Sequence, residues 1–429
     1  MSSEHDVLTS EQGQRGIPRR SFLKGAAGVV AASAAGSMIP TFAEAAPWSG
    51  ESAVASAAAK PKFAYVGCYT TKERDGHGKG ITVYRIEPSG EWTQVQLLEM
   101  FNPSYLIFDR HQRFLYSVHG DGTFVTSYSV DKQTGQIKVL NQQATGGKNS
   151  VHLSIDPTNR YLLTANYSSG ALTTFQLQDD GSIGPMRDSV SLAGPIGPHR
   201  VEQNFSHPHD IPFDRAGRFV VVPDKGLDRV FSYRIDANGK FIPGNPAFVA
   251  TRSGSGPRHV DFHPTLPIAY VINELNSTMT TYKYNGETGG LQPLQIVPML
   301  PNSFTGNSAS AEIVVAPSGK FVYGSNRGHE SIVTLSVDPV TGLLTTLGWE
   351  PSQGITPLDS ANQGAGGRDE FHGAITPRFF ALDPAGANLY ACNEDSDSIV
   401  FFRIDQKTGK LTPTGQVVKT GSPVCIAFA

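Results

Sequence analysis

The residues of this chain that could do chemistry recur at one place in a series of short apolar runs. We align the runs on their last residues: Asp109, Asp156, Asp214, His263, Ala316, Asp383 and Ala429. Four residues earlier stand Tyr105, His152, Asp210, His259, Glu312, Phe379 and Cys425. Five residues earlier stand Ser104, Val151, His209, Arg258, Ala311, Arg378 and Val424, and His207 precedes His209 by two.

Such a set of side chains is suited to binding and to proton transfer. A guanidinium group binds oxyanions through paired hydrogen bonds, and imidazole and carboxyl groups transfer protons near neutral pH. The mid-run positions are apolar, and regular sheet needs no His, Arg or Glu at these ends. The pattern predicts a shared binding mouth that could carry acid–base chemistry. The alternative is that single members only satisfy the amides of turns.

The aligned runs belong to a repeated unit of four strands, which is clearest between Gly256 and Leu294. Its strand-like segments are Val260–Phe262, Ile268–Asn273, Thr278–Tyr284 and the run that begins at Leu291. Short segments rich in Val, Ile, Thr and Tyr, separated by Pro, Asn and Gly, are typical of antiparallel strands. The unit is therefore interpreted as a four-stranded meander.

The same unit occurs seven times at a mean spacing of about 54 residues. The second strands of the copies contain Tyr65, Tyr116, Leu163, Val221, Tyr270, Tyr323 and Tyr390. Four strands per unit at this period are the signature of a β-propeller. We predict an all-β fold, a seven-bladed β-propeller of four-stranded antiparallel blades.

The closure of the ring can also be predicted. First strands precede six of the seven anchors, at Tyr105–Asp109, His152–Asp156, Asp210–Asp214, His259–His263, Glu312–Ala316 and Phe379–Asp383. The copy at Tyr65 has no first strand before it, whereas Pro423–Ala429 reads as a first strand with nothing after it. The C-terminal strand is expected to complete the first blade and to remove a free sheet edge.

A second set of polar residues follows the second strands. It comprises Asn166-Tyr167, Asp224-Lys225, Asn273-Glu274, Asn326-Arg327-Gly328-His329 and Asn393-Glu394. Asn is a turn former, so most of this set is interpreted as blade architecture, with Arg327 and His329 as the exceptions.

Other chemistries have less support. His152, His207, His209 and Asp210 are suitable donors for a divalent ion, but no helix-borne HExxH or Cys pair accompanies them, so we expect no metal. The chain has no Gly-rich phosphate loop on a βα unit and no G-x-S-x-G motif, which disfavours a covalent serine mechanism.

The N-terminus reads as a targeting segment. Arg19-Arg20-Ser21-Phe22-Leu23-Lys24 precedes a mild apolar stretch, and Ala43-Glu44-Ala45 offers a cleavage site. Residues 1–45 resemble a twin-arginine signal peptide, 46–61 an Ala/Ser-rich linker, and the propeller is placed at 62–429. We predict a periplasmic or secreted protein with no stable membrane association after cleavage; an uncleaved anchor is the alternative.

Composition limits the partners further. With a net charge of −3 and a pI near 6.5, nothing favours nucleic acid. Cys68, Cys392 and Cys425 are expected to be small buried hydrophobes, and a Cys68–Cys425 disulfide is the alternative. An insert between Glu350 and Thr376 lengthens the last interval and is read as a mobile segment or a lid.

Several segments resemble the 6-phosphogluconolactonase-type lactonase family of seven-bladed propellers. They are GPRHVDFHP, AYVINELNST, SAEIVVAPSGKFVYGSNRGHESI, TPRFFALDP and the closing SPVCIAF, and the resemblance runs from about Phe63 to the C-terminus. It implies hydrolysis of a sugar lactone, and we expect no cofactor and a monomeric protein. The carboxymuconate cyclases are similar and run lactone chemistry in the synthetic direction, so a lactonising enzyme is one alternative. A non-catalytic exported propeller that binds a sugar or a protein is another.

The resemblance also implies a set of site residues. The catalytic candidates are Glu312, His152, His209 and Arg258, and the substrate-binding candidates are His207, His259, Asn326, Arg327, His329 and Arg378. In the implied mechanism Arg258 and Arg378 hold the substrate, Glu312 or His152 takes a proton from water, and His209, Arg327 or backbone amides stabilise the oxyanion. The chain departs from the family at Glu202-Gln203, where Arg-Gln is common, and at Phe379, where Asp is common.

Overall fold

A computed structural model describes residues 61–353 and 375–429. The predicted signal peptide, all but the last residue of the predicted linker and most of the insert between Glu350 and Thr376 lie outside these residues. In the described part of the chain, no helix has the length and apolar character needed to cross a membrane.

The described residues form 27 strands, numbered here along the chain. The first fourteen are β1 (Phe63–Cys68), β2 (Gly80–Ile86), β3 (Trp92–Glu99), β4 (Pro103–Phe108), β5 (Phe114–His119), β6 (Phe124–Val130), β7 (Ile137–Ala144), β8 (Ser150–Ile155), β9 (Tyr161–Asn166), β10 (Ala171–Leu177), β11 (Ile183–Ser191), β12 (Val220–Asp224), β13 (Arg229–Ile235) and β14 (Phe241–Ala250).

The remaining strands are β15 (Pro257–Phe262), β16 (Ile268–Asn273), β17 (Thr278–Asn285), β18 (Gly290–Pro298), β19 (Ala309–Val315), β20 (Phe321–Arg327), β21 (Ser331–Val337), β22 (Leu344–Pro351), β23 (Pro377–Leu382), β24 (Asn388–Asn393), β25 (Ser398–Ile404), β26 (Leu411–Lys419) and β27 (Pro423–Phe428). Two 3₁₀ turns, Lys72–Arg74 and Tyr167–Ser169, accompany them.

The strands form seven antiparallel sheets, which confirms the predicted seven-bladed β-propeller. Consecutive strands pair within each blade, and the first strands of neighbouring blades pack side by side around the centre of the ring. The ring closes as predicted, because β27 pairs with β1 to give the order β27-β1-β2-β3. The chain ends therefore share one blade and leave no open first strand there.

The fourth blade differs from the prediction. The expected first strand Asp210–Asp214 is not a regular strand, and only the bridges Pro208–Asp224 and Phe213–Val220 join this segment to β12. Pro208 and Pro212 carry no backbone N–H and cannot donate to a ladder, which explains the irregularity. The segment still occupies the inner position, because Ser154 Oγ donates to Ile211 O at 2.7 Å.

Tyrosines of four second strands link their blades to the next blade. Tyr65, Tyr116, Tyr270 and Tyr323 donate their hydroxyls to the carbonyl oxygens of Gly135, Gly181, Gly342 and Gly409 at 2.7, 3.0, 2.8 and 2.9 Å. Each acceptor lies in the turn between the third and fourth strands of the following blade. The tyrosines that mark the repeat in sequence therefore join the blades.

The three cysteines are buried thiols, so the expectation of small buried hydrophobes is confirmed. The alternative of a Cys68–Cys425 disulfide is wrong. Cys68 Sγ lies 2.9 Å from Gly80 O, to which it donates within the first blade.

Candidate active site

A bulge recurs where the inner strands begin. Pro103 pairs with His119 and Tyr105 pairs with Val118, so Ser104 is an extra residue in β4. The same shift makes Val151, Arg258 and Arg378 extra residues in β8, β15 and β23. A bulge re-aims side chains at the end of a ladder. It explains why neighbouring residues such as Arg258 and His259 line the same space, although a regular strand would place them on opposite faces.

A cavity of about 760 Å³ lies at this end of the blades. All seven blades contribute to it. Its lining is Tyr69, Thr71, Glu73, Arg74, Phe101, Asp121, Lys148, Asn149, Val151, Tyr167, Glu202, His209, Lys225, Glu274, Arg327 and Arg378. Five cationic and four anionic side chains are in this set. The cavity is thus polar and close to charge balance.

A second, much smaller space adjoins the cavity, and we call it the inner chamber. It has a volume of about 20 Å³ and is lined by Tyr69, Ser104, Tyr105, Val151, His209, Arg258, His259, Glu312, Arg378, Phe379 and Val424. Four of these residues, Tyr69, Val151, His209 and Arg378, also line the large cavity. A ligand in the cavity can therefore contact groups of the chamber.

Glu274 organises the cations on one side of the cavity. Its carboxylate lies 3.0 Å from Lys225 Nζ, 2.9 Å from Arg258 Nε and 3.2 Å from Arg327 Nη2. Burial alone would raise the pKa of Glu274, but the charges of Lys225, Arg327 and Arg258 outweigh it and hold the pKa well below its usual range. Lys225 is also paired with Glu202 at 2.5 Å. These groups form one buried ion-pair network.

The tautomer of His259 follows from its neighbours. Arg258 Nη1 lies 3.1 Å from His259 Nε2, and arginine can only donate, so this nitrogen is the acceptor. His259 Nδ1 then carries the proton and donates to Glu312 Oε1 at 2.9 Å. His209 Nδ1 lies 3.2 Å from the same Nε2 and must be protonated to bond there. The lone pair of His209 Nε2 is left free of any hydrogen bond from the described residues.

Glu312 is a buried acid with one uncommitted oxygen. Its Oε1 accepts from His259 Nδ1 and from the backbone N–H of Ile313, at 2.9 and 3.0 Å. Its Oε2 is buried and makes no hydrogen bond within the described residues. Burial raises the pKa of Glu312 to about 8, against the opposing charge of Arg258. Oε2 is therefore the atom that exchanges a proton near neutral pH.

Two arginines retain donors that could contact a ligand. No hydrogen bond from Arg258 Nη2 to the described residues is formed, while Nη1 donates to Ala311 O at 2.6 Å. Arg378 lies 3.7 Å from a Glu394 oxygen, beyond hydrogen-bond distance, with its guanidinium 5.5 Å from the centre of the Tyr69 ring. Both arginines line the inner chamber, and Arg378 also faces the cavity.

The structure brings together six of the ten predicted site residues. Glu312, His209, Arg258, His259, Arg327 and Arg378 line the cavity or the chamber. His152 lies directly behind them. Its Nε2 lies 3.1 Å from Asp210 Oδ1, and its ring packs on the Tyr105 ring with ring centres 4.1 Å apart. Burial lowers the pKa of His152 well below its usual range, the positive charge of Arg258 adds to this effect, and His152 is therefore neutral.

The other three lie outside the lining. His207 stacks on Tyr167 with ring centres 4.3 Å apart. Asn326 donates to Met299 O at 2.8 Å, in the way expected of a turn-forming residue. His329 bonds to Ser331 Oγ at 2.7 Å. These contacts give all three a role in holding the neighbouring loops.

Sequence reasoning missed Lys225 and Glu274 as members of the site. They were interpreted as blade architecture because each follows a turn former, yet both line the cavity. Glu202, noted only as a departure from the family, completes the network through Lys225. The signal available in the sequence was the repeated position after the second strand, which carries opposite charges in consecutive blades.

The side chains of His152, His207 and Asp210 are not arranged as the ligands of one metal ion. His152 and Asp210 contact each other, whereas His207 packs on Tyr167 instead of turning toward them. Within residues 61–353 and 375–429, no group of three or more His, Cys, Asp or Glu side chains has an arrangement that could hold a metal ion.

A closed seven-bladed propeller with ionisable residues gathered at one end of its inner strands defines the class of this protein. A model of the family described as "Lactonase, 7-bladed beta-propeller" matches residues 63–366 and 367–428. The chain therefore belongs to the lactonase family of seven-bladed β-propellers, and the prediction of a lactonase-type enzyme is confirmed at the level of the family.

Individual relatives agree with this assignment. The chain is 32% identical to a 6-phosphogluconolactonase of Bacillus subtilis, over 85% of this chain and 97% of the relative. It is 31% identical to a 6-phosphogluconolactonase of Formosa agariphila, over 83% and 97%. The solved periplasmic gluconolactonase of Pseudomonas aeruginosa is similar with a TM-score of 0.75 and 29% identity, over 85% of this chain and 98% of that one.

Proposed function

We propose that this protein hydrolyses a sugar lactone to the open-chain hydroxy acid in the large cavity. The observation that carries the proposal is Glu312, which lines the inner chamber together with Arg258 and Arg378 and whose Oε2 is buried without a hydrogen bond within the described residues. A general base is most effective when its pKa lies near the working pH, and a pKa of about 8 meets this condition. The names of the relatives agree with lactone substrates.

In the first step, ionised Glu312 takes a proton from a water molecule as its oxygen attacks the lactone carbonyl carbon. The carbonyl π bond breaks and its electron pair moves onto the carbonyl oxygen, giving a tetrahedral oxyanion. The free N–H groups of Arg258 Nη2 and of Arg378 stabilise this charge, since guanidinium donors bind oxyanions strongly in a buried site. His259 holds Glu312 in position through its Nδ1–H.

In the second step, the oxyanion re-forms the carbonyl and the bond to the ring oxygen breaks. The leaving alkoxide takes the proton that Glu312 received from water, which returns the carboxylate to its starting form. One water is added overall, with its hydroxyl on the carbonyl carbon and its hydrogen on the ring oxygen. The product is a hydroxy acid, which leaves as the carboxylate.

We infer that the sugar carries no phosphate. Lys225, Arg258 and Arg327 share the carboxylate of Glu274, and Arg74 is bound by both oxygens of Asp121 at 2.6 Å. A phosphate dianion would have to compete with these carboxylates for three of the five cations that line the cavity, namely Arg74, Lys225 and Arg327. Hydroxyl groups need no such exchange, because they can donate to Glu274 and Asp121 and accept from the cations.

A pH-stat assay at low buffer concentration tests the reaction. Acid release from glucono- and galactonolactones would be compared with the spontaneous rate, and 6-phosphogluconolactone would be a third substrate. We expect acceleration with the unphosphorylated lactones and a lower kcat/KM with the phosphorylated one. Preference for the phosphorylated lactone would contradict only the inference about phosphate, whereas no acceleration with any of the three would overturn the proposed function.

We also propose export through the twin-arginine route. The support is Arg19-Arg20 before the apolar stretch and the Ala43-Glu44-Ala45 site, together with the periplasmic relative from P. aeruginosa. Changing both arginines to lysine should keep the protein in the cytoplasm, as measured by fractionation and by the size of the processed chain. Undiminished export of this variant would remove the twin-arginine interpretation, while changing the nearby Lys24 to arginine serves as the control.

A further inference from the structure

Two buried polar atoms of the residues that line the inner chamber have neither a hydrogen bond nor an ion pair within the described residues, whereas a third, Arg258 Nε, lacks a hydrogen bond but lies 2.9 Å from a Glu274 oxygen. Ser104 Oγ and Glu312 Oε2 are both buried, both belong to residues of the chamber lining, and neither makes a hydrogen bond within the described residues. Ser104 and Glu312 are only 8% and 6% exposed. Unpaired buried polar groups lower the stability of a fold, so two of them on residues that line one small space indicate a ligand that bonds to both.

The volume of the chamber limits what this ligand can be. A buried water needs roughly 10–15 Å³ measured with a water-sized probe, and two to four polar partners. The chamber offers about 20 Å³, which is enough for one water and too little for a sugar ring. Its other polar groups include the free Nε2 of His209 and the guanidinium of Arg258.

The backbone explains why a serine hydroxyl reaches this place. Ser104 is the extra residue of the bulge in β4, and Arg258 and Arg378 are the corresponding residues in β15 and β23. The bulge thus presents a short neutral hydroxyl in the second blade where two other blades present guanidinium groups. A hydroxyl can accept from a water while that water donates to a carboxylate.

We propose that the inner chamber binds the water that attacks the lactone, and that Ser104 is a positioning residue that holds this water against Glu312 Oε2. The proposal rests on the proposed hydrolysis and adds a site for the second reactant. In this arrangement the water donates one hydrogen to Glu312 and the other to Ser104 Oγ. Its lone pair is then directed toward a carbonyl carbon in the adjoining cavity, on the side where His209 and Arg378 line both spaces.

The test compares two buried serines. Ser232 Oγ is also buried without a hydrogen bond, on β13 and outside the lining of both spaces, so Ser232→Ala is a matched control. Ser104→Ala should lower kcat about tenfold with KM unchanged, because the substrate is held by other groups. Both variants should leave the melting temperature unchanged or slightly raised. Ser232→Ala should keep the full kcat.

A larger side chain gives a second readout. Ser104→Val removes the hydroxyl and adds methyl volume to the chamber, so kcat should fall by about a hundredfold. A crystal structure of the wild-type protein at high resolution should show one water within about 2.6–3.2 Å of both Ser104 Oγ and Glu312 Oε2. The same water should be absent from Ser104→Val.

The outcomes separate this proposal from the proposed function. An active wild-type enzyme whose Ser104→Ala and Ser104→Val variants keep full kcat overturns the role of Ser104. A wild-type crystal structure in which Ser104 Oγ bonds to a protein group, with no water beside Glu312, overturns the water site. A wild-type protein inactive on all three lactones overturns the proposed hydrolysis, and with it the hydrolytic role of the chamber.

Discussion

The two ends of the inner strands use carboxylates in opposite ways. At the far ends, Asp109, Asp156, Asp214 and Asp383 each accept two backbone N–H groups from the turn that follows; for Asp109 the donors are Arg113 and Phe114, at 2.5 and 2.9 Å. At the beginning of the sixth inner strand, Glu312 leaves one oxygen with no partner. The aspartates at the far end are hydrogen-bonded to backbone amides, and we call this the saturated end of the blades. At the other end, Glu312 keeps an oxygen without a hydrogen bond within the described residues.

This difference separates carboxylates that hold turns in place from a carboxylate that can exchange a proton, although the repeats are similar. A carboxylate that is fully bonded to turn amides fixes the conformation of the turn and has no acceptor left for a substrate. A carboxylate with a free buried oxygen stabilises the fold less, but its proton affinity is tuned by burial. Substitutions at each end therefore test whether the structural and the catalytic roles of these carboxylates are separate.

The largest effect is expected from removing an inner strand altogether. Deleting 423–429 takes β27 away from β1 and exposes both its neighbours and the centre of the ring. We expect aggregation, or a melting temperature lower by more than about 10 °C in calorimetry. Removal of residues 1–45 is the control and should leave the melting temperature unchanged; a protein without β27 that melts like the full chain would contradict the closure.

The second largest effect is on catalysis. Glu312→Gln keeps the shape of the side chain and removes the proton acceptor, so kcat should fall by roughly 10²–10⁴-fold in the pH-stat assay. If Glu312 were only a cap for the strand end, the folded variant would keep its activity. Such a result, with an unchanged circular dichroism spectrum, would end the assignment of the base.

Although Glu312→Gln should lose activity, its melting temperature at high pH should be higher than that of the wild type. The pKa of Glu312 is raised from 4.5 unfolded to about 8 folded, so the folded state binds the extra proton between these values. The stabilisation from this group is complete below about pH 4.5 and is lost as the pH rises through 8. Glutamine does not ionise, so Glu312→Gln should melt higher than wild type at pH 9 and similarly at pH 5.

Sequence patterns predicted the saturated part of the molecule well. Repeated tyrosines, turn residues and the unpaired C-terminal run depend on local spacing, so they predicted seven blades and their closure. The bulges at Ser104 and Arg258 were not predicted, because one extra residue in a ladder leaves no mark in the alternation of so short a strand. Pro208 and Pro212 were the available sign that the inner strand of the fourth blade is irregular.

The site was predicted less completely, for a physical reason. Two of the three ion pairs of Glu274 join residues about 50 positions apart, and these partners are decided by how the blades pack. The raised pKa of Glu312 likewise comes from burial, which no spacing in the chain shows. The repeat position and the family resemblance made His152 a candidate base, and the structure places it behind the lining with Asp210.

A smaller effect concerns the pH dependence of the rate. Because the base must be ionised, kcat/KM should rise about tenfold per pH unit below 8 and level off above it, after subtraction of the spontaneous rate. The residual rate of Glu312→Gln should show no inflection near 8, which is the control. A rate that instead falls as the pH rises through 8 would mean that the protonated form acts, and Glu312 would then be a general acid.

The smallest effect on activity is expected at the saturated end. Asp383 Oδ1 accepts the backbone N–H groups of Ala387 and Asn388 at 2.7 and 3.3 Å, and Oδ2 accepts from the side chain of Asn388 at 2.7 Å. Asp383→Ala leaves these donors unpaired in a partly buried turn, which should cost about 1–3 kcal/mol of the free energy of unfolding. Denaturant titration would measure the loss, and kcat should stay within twofold of wild type, because Asp383 lies at the opposite end of its strand from Arg378.

The control is Asp383→Asn, which keeps one acceptor oxygen and should recover part of the stability. A fall of kcat in Asp383→Ala as large as that in Glu312→Gln would show that the two ends are coupled, and the division between a structural and a chemical end of the blades would be wrong.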